Sequence, residues 1–284
     1  MKNNKILYLC AFAVIAFIFN SCQDNFSDEI PKEVTLDLNK NSETSIGLEI
    51  MGEGLSTRSD CDDVHWEYEG PEGPDHWGDL CDDYEDCNGN RQSPIALKKL
   101  PTRKKSRGLH FYWKDQTETE IVNNGHTLQF NVQNGSYLTL NGQKYDLLQF
   151  HFHYESEHTI NGKHLPLEVH FVHKRGGKLA VIGVMIEEGA SNPLLEQFLW
   201  DFPENEGVFT SNDNYDPSDL LGDTKHFWYY DGSLTTPPCS EIVKWTVMED
   251  YITASHEQIY HLKSILEHNY RPVQPKGSRQ VRMQ

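Results

Sequence analysis

From His65 to the C-terminus, apolar and polar positions alternate over short runs rich in Val, Ile, Leu, Phe and Tyr. A period of two sends successive side chains to opposite faces, so these runs predict β-strands with one face toward a core. Asn124-Gly125, Asn134-Gly135, Asn141-Gly142, Asn161-Gly162 and Gly176-Gly177 punctuate them. Asn-Gly suits tight hairpins because both residues tolerate positive φ. The pattern predicts a mainly β (α+β) domain with an antiparallel sheet. Helical periodicity is confined to short pieces, chiefly 192–200 and 255–269. No internal repeat and no second-domain linker follows residue 65.

The first 63 residues have a different texture. Lys2 and Lys5 precede an apolar run from Ile6 to Phe19, then Asn20, Ser21 and Cys22. This reads as an export signal over 1–21, too short for a membrane span. A cysteine directly after such a run resembles the lipobox of bacterial lipoproteins, which implies acylation of Cys22 and a periplasmic or cell-surface protein anchored to a membrane. From 22 to 63 acidic residues outnumber basic ones and large aromatics are nearly absent, as in a flexible spacer. Such a chain has a root-mean-square span of roughly 35 Å. Val34-Thr35-Leu36 and Ile46-Gly47-Leu48 within it are compatible with a short strand. The domain is then expected over 64–284.

Charge and cysteines narrow the chemistry. The formal charge of −18 becomes −20 once Lys2 and Lys5 leave with the signal, which argues against nucleic acid as a partner. With Cys10 in the signal and Cys22 lipidated, Cys61, Cys81, Cys87 and Cys239 remain, enough for two disulfides in any of three connectivities. No Cys-x-x-Cys pair supports a thiolate zinc site.

The histidines form the sharper pattern. In Gln149-Phe150-His151-Phe152-His153, strand parity points Gln149, His151 and His153 one way and both phenylalanines the other. A second strand, Leu167 to Val172, puts Glu168, His170 and Val172 on one face. If the two strands pair with those faces aligned, three imidazoles converge, and three nitrogens with one open position describe a catalytic zinc site. Gln149 and Glu168 suit the partners that metal-bound histidines usually donate to. His151-x-His153-x-x-x-Glu157 also resembles the first metal motif of cupins, though the glycines expected around it are misplaced. His256 and His261 imitate a zinc-protease helix, but five residues place them about 140° apart.

These segments, with Ser156-Glu157-His158-Thr159 and Ser233-Leu234-Thr235-Thr236-Pro237-Pro238-Cys239, stand in the order seen in alpha carbonic anhydrases. His65-Trp66-x-Tyr68, Arg91-Gln92-Ser93-Pro94-Ile95, Asn123-Asn124-Gly125-His126 and Asn269-Tyr270-Arg271-Pro272 extend the resemblance over about 65–282. It implies one domain around a large twisted, mostly antiparallel sheet, with zinc at the bottom of a conical cleft. It further implies reversible hydration of carbon dioxide to bicarbonate by zinc-bound hydroxide, and sensitivity to sulfonamides and anions. Zinc would be held by His151, His153 and His170, which Gln149, the Asn269 carbonyl and Glu168 would orient. Thr235 and Glu157 would aim the nucleophile. Val172, Val181, Leu234, Trp245 and Thr236 would line the substrate pocket, and His126 would shuttle protons through waters ordered by Tyr68, Asn124 and Gln129. The resemblance pairs Cys87 with Cys239, which leaves Cys61 for Cys81. A catalytically silent binding protein of the same family is the rival reading; such relatives usually lack a zinc histidine, and here all three are present.

Overall fold

Two-residue hairpins set the local register, as at Asn141-Gly142, where both residues have positive φ, 52° and 74°, the requirement of a turn whose twist matches its strands. The computed structural model describes Cys61, residues 64–99 and residues 108–284. The expected signal, Cys22, residues 34–36 and 46–48, and nearly all of the spacer lie outside the described residues. Those described belong to one unit, Thr44–Gln284.

In chain order the strands are β1 (Ala96–Leu97), β2 (Leu109–Tyr112), β3 (Thr119–Asn123), β4 (Leu128–Asn131), β5 (Tyr137–Leu140), β6 (Gln143–His153) and β7 (Thr159–Ile160). They continue as β8 (Leu167–Arg175), β9 (Lys178–Glu188), β10 (Gly207–Ser211), β11 (Phe227–Gly232), β12 (Val243–Met248), β13 (Ile252–Ala254) and β14 (Arg282–Met283). Twelve of them form one sheet whose main path runs β10-β3-β4-β6-β8-β9-β12-β11-β14. Pairing is antiparallel except where β12 and β13 join β9 in parallel, so the sheet is mixed at that seam. β1 and β7 form a separate parallel pair.

Among the described residues, three short α-helices stand outside the sheet: α1 (Trp77–Leu80), α2 (Pro193–Phe198) and α3 (His256–Leu266). The side chain of Asn192 caps α2 at Leu194 and Leu195, and Ser255 with Gln258 forms a capping box on α3, which satisfies amide groups that a helix start leaves orphaned. Both lie inside the stretches where the sequence showed helical periodicity. None of the described helices is long and apolar enough to cross a membrane.

The central strands are covered on both sides. Phe130, Phe150, Phe152, Phe171 and Ile182 pack with Phe198 of α2 and Leu262 of α3 in the larger core, and Phe130 stacks on Phe150 at 4.6 Å. Val172, Val181, Trp228, Tyr230 and Trp245 form a second core on the opposite face. Burying each phenylalanine stabilises the fold by about 1.5–3 kcal/mol, so a one-residue slip of β6, which would exchange Phe150 and Phe152 for histidines, is strongly excluded. That exclusion is what presents His151 and His153 together on the other face. Two disulfides, Cys61–Cys81 and Cys87–Cys239, are formed, consistent with an oxidising compartment.

Candidate metal centre and its cleft

β6 and β8 pair with His151 opposite His170 and His153 opposite Glu168. This register turns a strand-parity pattern into a cluster: one nitrogen from each of His151, His153 and His170 lies within 4.8 Å of the others. The remaining nitrogens are committed elsewhere. His151 Nδ1–H donates to Gln149 Oε1 (2.9 Å), His153 Nδ1–H to the Asn269 carbonyl (2.7 Å) and His170 Nε2–H to Glu168 Oε1 (2.9 Å). Each such bond fixes a tautomer and aims the other nitrogen inward.

Burial is the chief cause holding the His151 imidazole well below, and that of His153 below, the ordinary histidine range, and the neighbouring imidazoles add to it. Both are therefore neutral at physiological pH, the form that binds a metal. Burial alone would raise the Glu168 carboxyl, but His158 and His170 hold it well below its usual range. Glu168 Oε2 accepts the His158 backbone N–H (2.9 Å), Oε1 accepts His158 Nδ1–H (2.8 Å), and Tyr230 Oη sits between His158 Nε2 (2.7 Å) and Ser93 Oγ (3.0 Å). This buttress behind Glu168 was not anticipated from sequence, because Ser93, His158 and Tyr230 are far apart in the chain. His158, Glu168 and His170 also lie close enough to hold a metal, but their facing atoms are already spent on one another in hydrogen bonds.

The donor set fits a zinc ion. His153 Nε2 is buried without a hydrogen-bond partner, a costly state for a polar atom, and it belongs to a cluster of three imidazoles that line a cavity. Three nitrogens and one open position are the ligand chemistry of catalytic zinc.

The cavity, about 280 Å³, has walls of different character. Val172, Val181, Leu234, Pro237 and Trp245 supply an apolar side, and Tyr68, Asn124, His126, Thr127, Gln129 and Asn131 a polar one. Thr235 and Thr236 also line it. A register shift in β6 between Leu147 and Gln149 brings Leu148 to the lining beside Gln149. Leu148, Asn131, Pro237 and Trp66 were missed as lining residues. A bulge breaks parity without a sequence signal of its own, and the other three carry no distinctive chemistry.

Glu157 is fully buried; its Oε1 accepts the Arg271 backbone N–H at 3.0 Å, and its Oε2 has no hydrogen-bond partner. That free oxygen lies 3.6 Å from His153 Nε2 and 3.8 Å from His170 Nδ1. No hydrogen bond joins Thr235 to Glu157 here, whereas the family resemblance implies one. The loop carrying Thr235 is tied by Trp245 Nε1–H to the Ser233 carbonyl (2.9 Å), by Cys239 N–H to the Thr236 carbonyl (2.8 Å) and by the Cys87–Cys239 bridge.

His126 stands at the cleft with its ring stacked on Trp66 at 3.8 Å and 11°. Thr127 commits its hydroxyl to the Phe152 carbonyl (2.6 Å), and Gln129 Nε2–H donates to Asn131 Oδ1 (2.6 Å). Asn269 couples the two regions: its side-chain amide donates to the carbonyls of His126 (3.0 Å) and Phe152 (2.9 Å) while its own carbonyl receives His153. His256 and His261 of α3 do not converge; His256 faces Glu188 and His261 packs on Trp200 and Phe202.

A mixed sheet thus carries three histidines that could hold a metal beneath a half-apolar cleft. The family model for eukaryotic-type carbonic anhydrase matches residues 72–284. A carbonic anhydrase from a Nostoc strain is 41% identical over 248 residues, spanning 83% of this chain and 94% of that protein. The alpha-carbonic anhydrase of Photobacterium profundum superposes with a TM-score of 0.71 at 40% identity, covering 76% of this chain and 99% of that one. That of Thermovibrio ammonificans, solved with the inhibitor sulfanilamide, gives 0.72 at 40% identity over 77% and 98%. The chain belongs to the alpha-class, eukaryotic-type carbonic anhydrase family. It is an enzyme of that family, whose reaction is the reversible hydration of carbon dioxide.

Proposed function

We propose that the chain hydrates carbon dioxide at a zinc ion held by His151, His153 and His170. The carrying observation is the convergence of three imidazole nitrogens within 4.8 Å, each ring locked from behind by Gln149, Asn269 or Glu168. Zinc there supplies a Lewis acid that lets water lose a proton near neutral pH, an effect for which carbonic anhydrase is itself the standard worked example. Glu157 Oε2, buried and unpartnered, is free to accept from the Thr235 hydroxyl, and that pair would orient the attacking oxygen. Carbon dioxide has no net dipole, so it is held by the apolar wall of Val172, Val181, Leu234 and Trp245 rather than by hydrogen bonds. His126 receives the released proton, with Tyr68, Asn124, Gln129 and Thr236 ordering the intervening waters. A histidine suits this relay because it titrates near neutrality.

Metal analysis and a carbon dioxide hydration assay, with and without an aryl sulfonamide, test the reading. His170→Ala lowers zinc content and activity together, and full zinc occupancy in that variant would refute the ligand assignment. His126→Ala slows hydration in weak buffer, imidazole restores much of the rate, and zinc content stays unchanged. Wild-type behaviour of that variant in weak buffer would remove His126 from the mechanism.

The chain is exported, loses residues 1–21, and is acylated at Cys22, with 22–63 as spacer and 64–284 as catalytic domain. The signal-like composition ahead of Cys22 and the two disulfides support this. The mass of the mature N-terminus checks it; an unmodified terminus beyond Cys22 would exclude the anchor.

A further inference from the structure

We propose that the Cys61–Cys81 disulfide is a positioning element for His126: the bridge anchors the chain five residues before Trp66, on whose indole the His126 ring is stacked. This rests on the reading of His126 as the proton relay.

The backbone of His126 is held at both ends. Its N–H donates to Asn124 Oδ1 and its carbonyl receives the Asn269 amide, both at 3.0 Å. With the main chain pinned, side-chain rotation is the remaining freedom, and the ring lies nearly parallel to the Trp66 indole at 3.8 Å. Its Nδ1 is buried with no hydrogen-bond partner, so the stacked ring has one nitrogen, Nε2, with which to take a proton and return it. Rotation about the side chain would move Nε2, so the stack sets where that nitrogen lies.

Trp66 is not part of any strand. It packs edge-on against Trp77 at 5.2 Å and Tyr68 at 5.4 Å. The following residue is anchored because Trp77 Nε1–H points at the carbonyls of Glu67 (2.9 Å) and Glu72 (3.0 Å). On the preceding side Cys61 is bonded to Cys81, which ends α1, the helix that begins with Trp77. The bridge and the Trp77 indole therefore grip the chain five residues before Trp66 and one residue after it. Removing the bridge frees the upstream grip, and the entropy of an unfixed chain then favours departure of Trp66 from the ring.

The groups that face His126 are His65 and Glu67 of the same segment, Tyr68, and Glu206 from the loop before β10. Burial is the largest influence on the ring and lowers its pKa below the ordinary 6.5; Glu67 and Glu206 oppose that, and His65 adds to it. A ring released from Trp66 is more hydrated, so its titration moves up toward 6.5.

The test uses the full-length, zinc-loaded enzyme. Cys61→Ser/Cys81→Ser is compared with wild type by NMR titration of the His126 ring and by kcat in weak buffer across neutral pH. We expect the His126 pKa to rise, kcat in weak buffer to fall at least about threefold with imidazole restoring it, and kcat/KM and zinc content to hold, because misplacement slows a relay without touching carbon dioxide binding. Trp66→Leu, which removes the stack and keeps the bridge, provides the same ring titration if the double variant folds poorly. An unchanged His126 titration in either variant, or an unchanged kcat profile in the double variant, overturns the proposal. Failure of His126→Ala to slow hydration would instead remove the relay reading, and a shifted His126 titration in the double variant would still establish the positioning.

Discussion

His173 lies in β8, three residues beyond His170, at 1% exposure, and its Nδ1–H donates to the Phe171 carbonyl at 3.1 Å. Burial is the main cause that lowers its pKa from 6.5 to about 4. Above about pH 6.5 the ring is neutral in both folded and unfolded chains and contributes no pH dependence. As pH falls below 6.5 the unfolded chain takes up a proton that the native protein does not, so stability is lost progressively until about pH 4. A shift of about 2.5 units corresponds to roughly 3 kcal/mol over the full window, and about 2 kcal/mol of that is already lost at pH 5.

His173→Gln removes the titration and can retain a donor toward the Phe171 carbonyl. Urea midpoints for wild type and variant, measured at pH 7 and pH 5 with excess zinc, isolate the effect. Zinc release by acid acts on both proteins, so the difference between their pH dependences reports His173. The variant is expected to lose about 2 kcal/mol less than wild type between pH 7 and pH 5. Parallel loss in the two proteins would show that His173 does not set the acid limb.

The remaining expectations concern the two ends of the site. Cys87→Ser/Cys239→Ser opens a cross-link spanning 152 residues, worth about 5 kcal/mol by chain entropy, against about 3 kcal/mol for the 20-residue Cys61–Cys81 loop. Urea midpoints should therefore fall further for the first pair, and the reverse order would count against an entropic origin. Gly183 faces His170 across β8 and β9, and a Cβ there would lie 2.6 Å from Glu168 Oε1. Gly183→Ala should displace that carboxylate and weaken zinc binding about 10- to 100-fold in a chelator competition, whereas wild-type affinity would mean that Glu168 does not orient His170.

Much of this was legible in the sequence because strand parity is a local property. The Phe150/Phe152 and His151/His153 faces follow from a period of two, and the core excludes the alternative register. The Asn-Gly turns and the stretches that contain α2 and α3 were legible for the same reason: their pattern acts within a few residues. The parallel seam at β9 and β12 was not, since nothing in either strand names its neighbour. The Leu148 bulge, the Ser93–Tyr230–His158 buttress and the Trp66 stack were equally silent. Each depends on residues brought together across the chain.

That division bears on how the site is kept rigid. The three imidazoles come from two adjacent strands, but the groups that lock them do not share that economy. Gln149 and Glu168 are neighbours on those strands, whereas Asn269 arrives from beyond α3, 116 residues after His153. Asn269 also holds the His126 carbonyl and two backbone groups at the end of β6, the Tyr154 N–H and the Phe152 carbonyl. Two residues later the Arg271 N–H donates to Glu157 Oε1, and the Arg271 guanidinium donates to Gln92, Ser93 and the Cys87 carbonyl. One short segment, 269–271, thus touches His126, His153, Glu157 and the disulfide that holds the Thr235 loop. Local pattern can place ligands on a strand, but holding them to a few tenths of an ångström requires contacts from outside the sheet. The residues that supply those contacts are asparagine and arginine in a segment with no strand or helix of its own, where backbone carbonyls and amides remain free to be used.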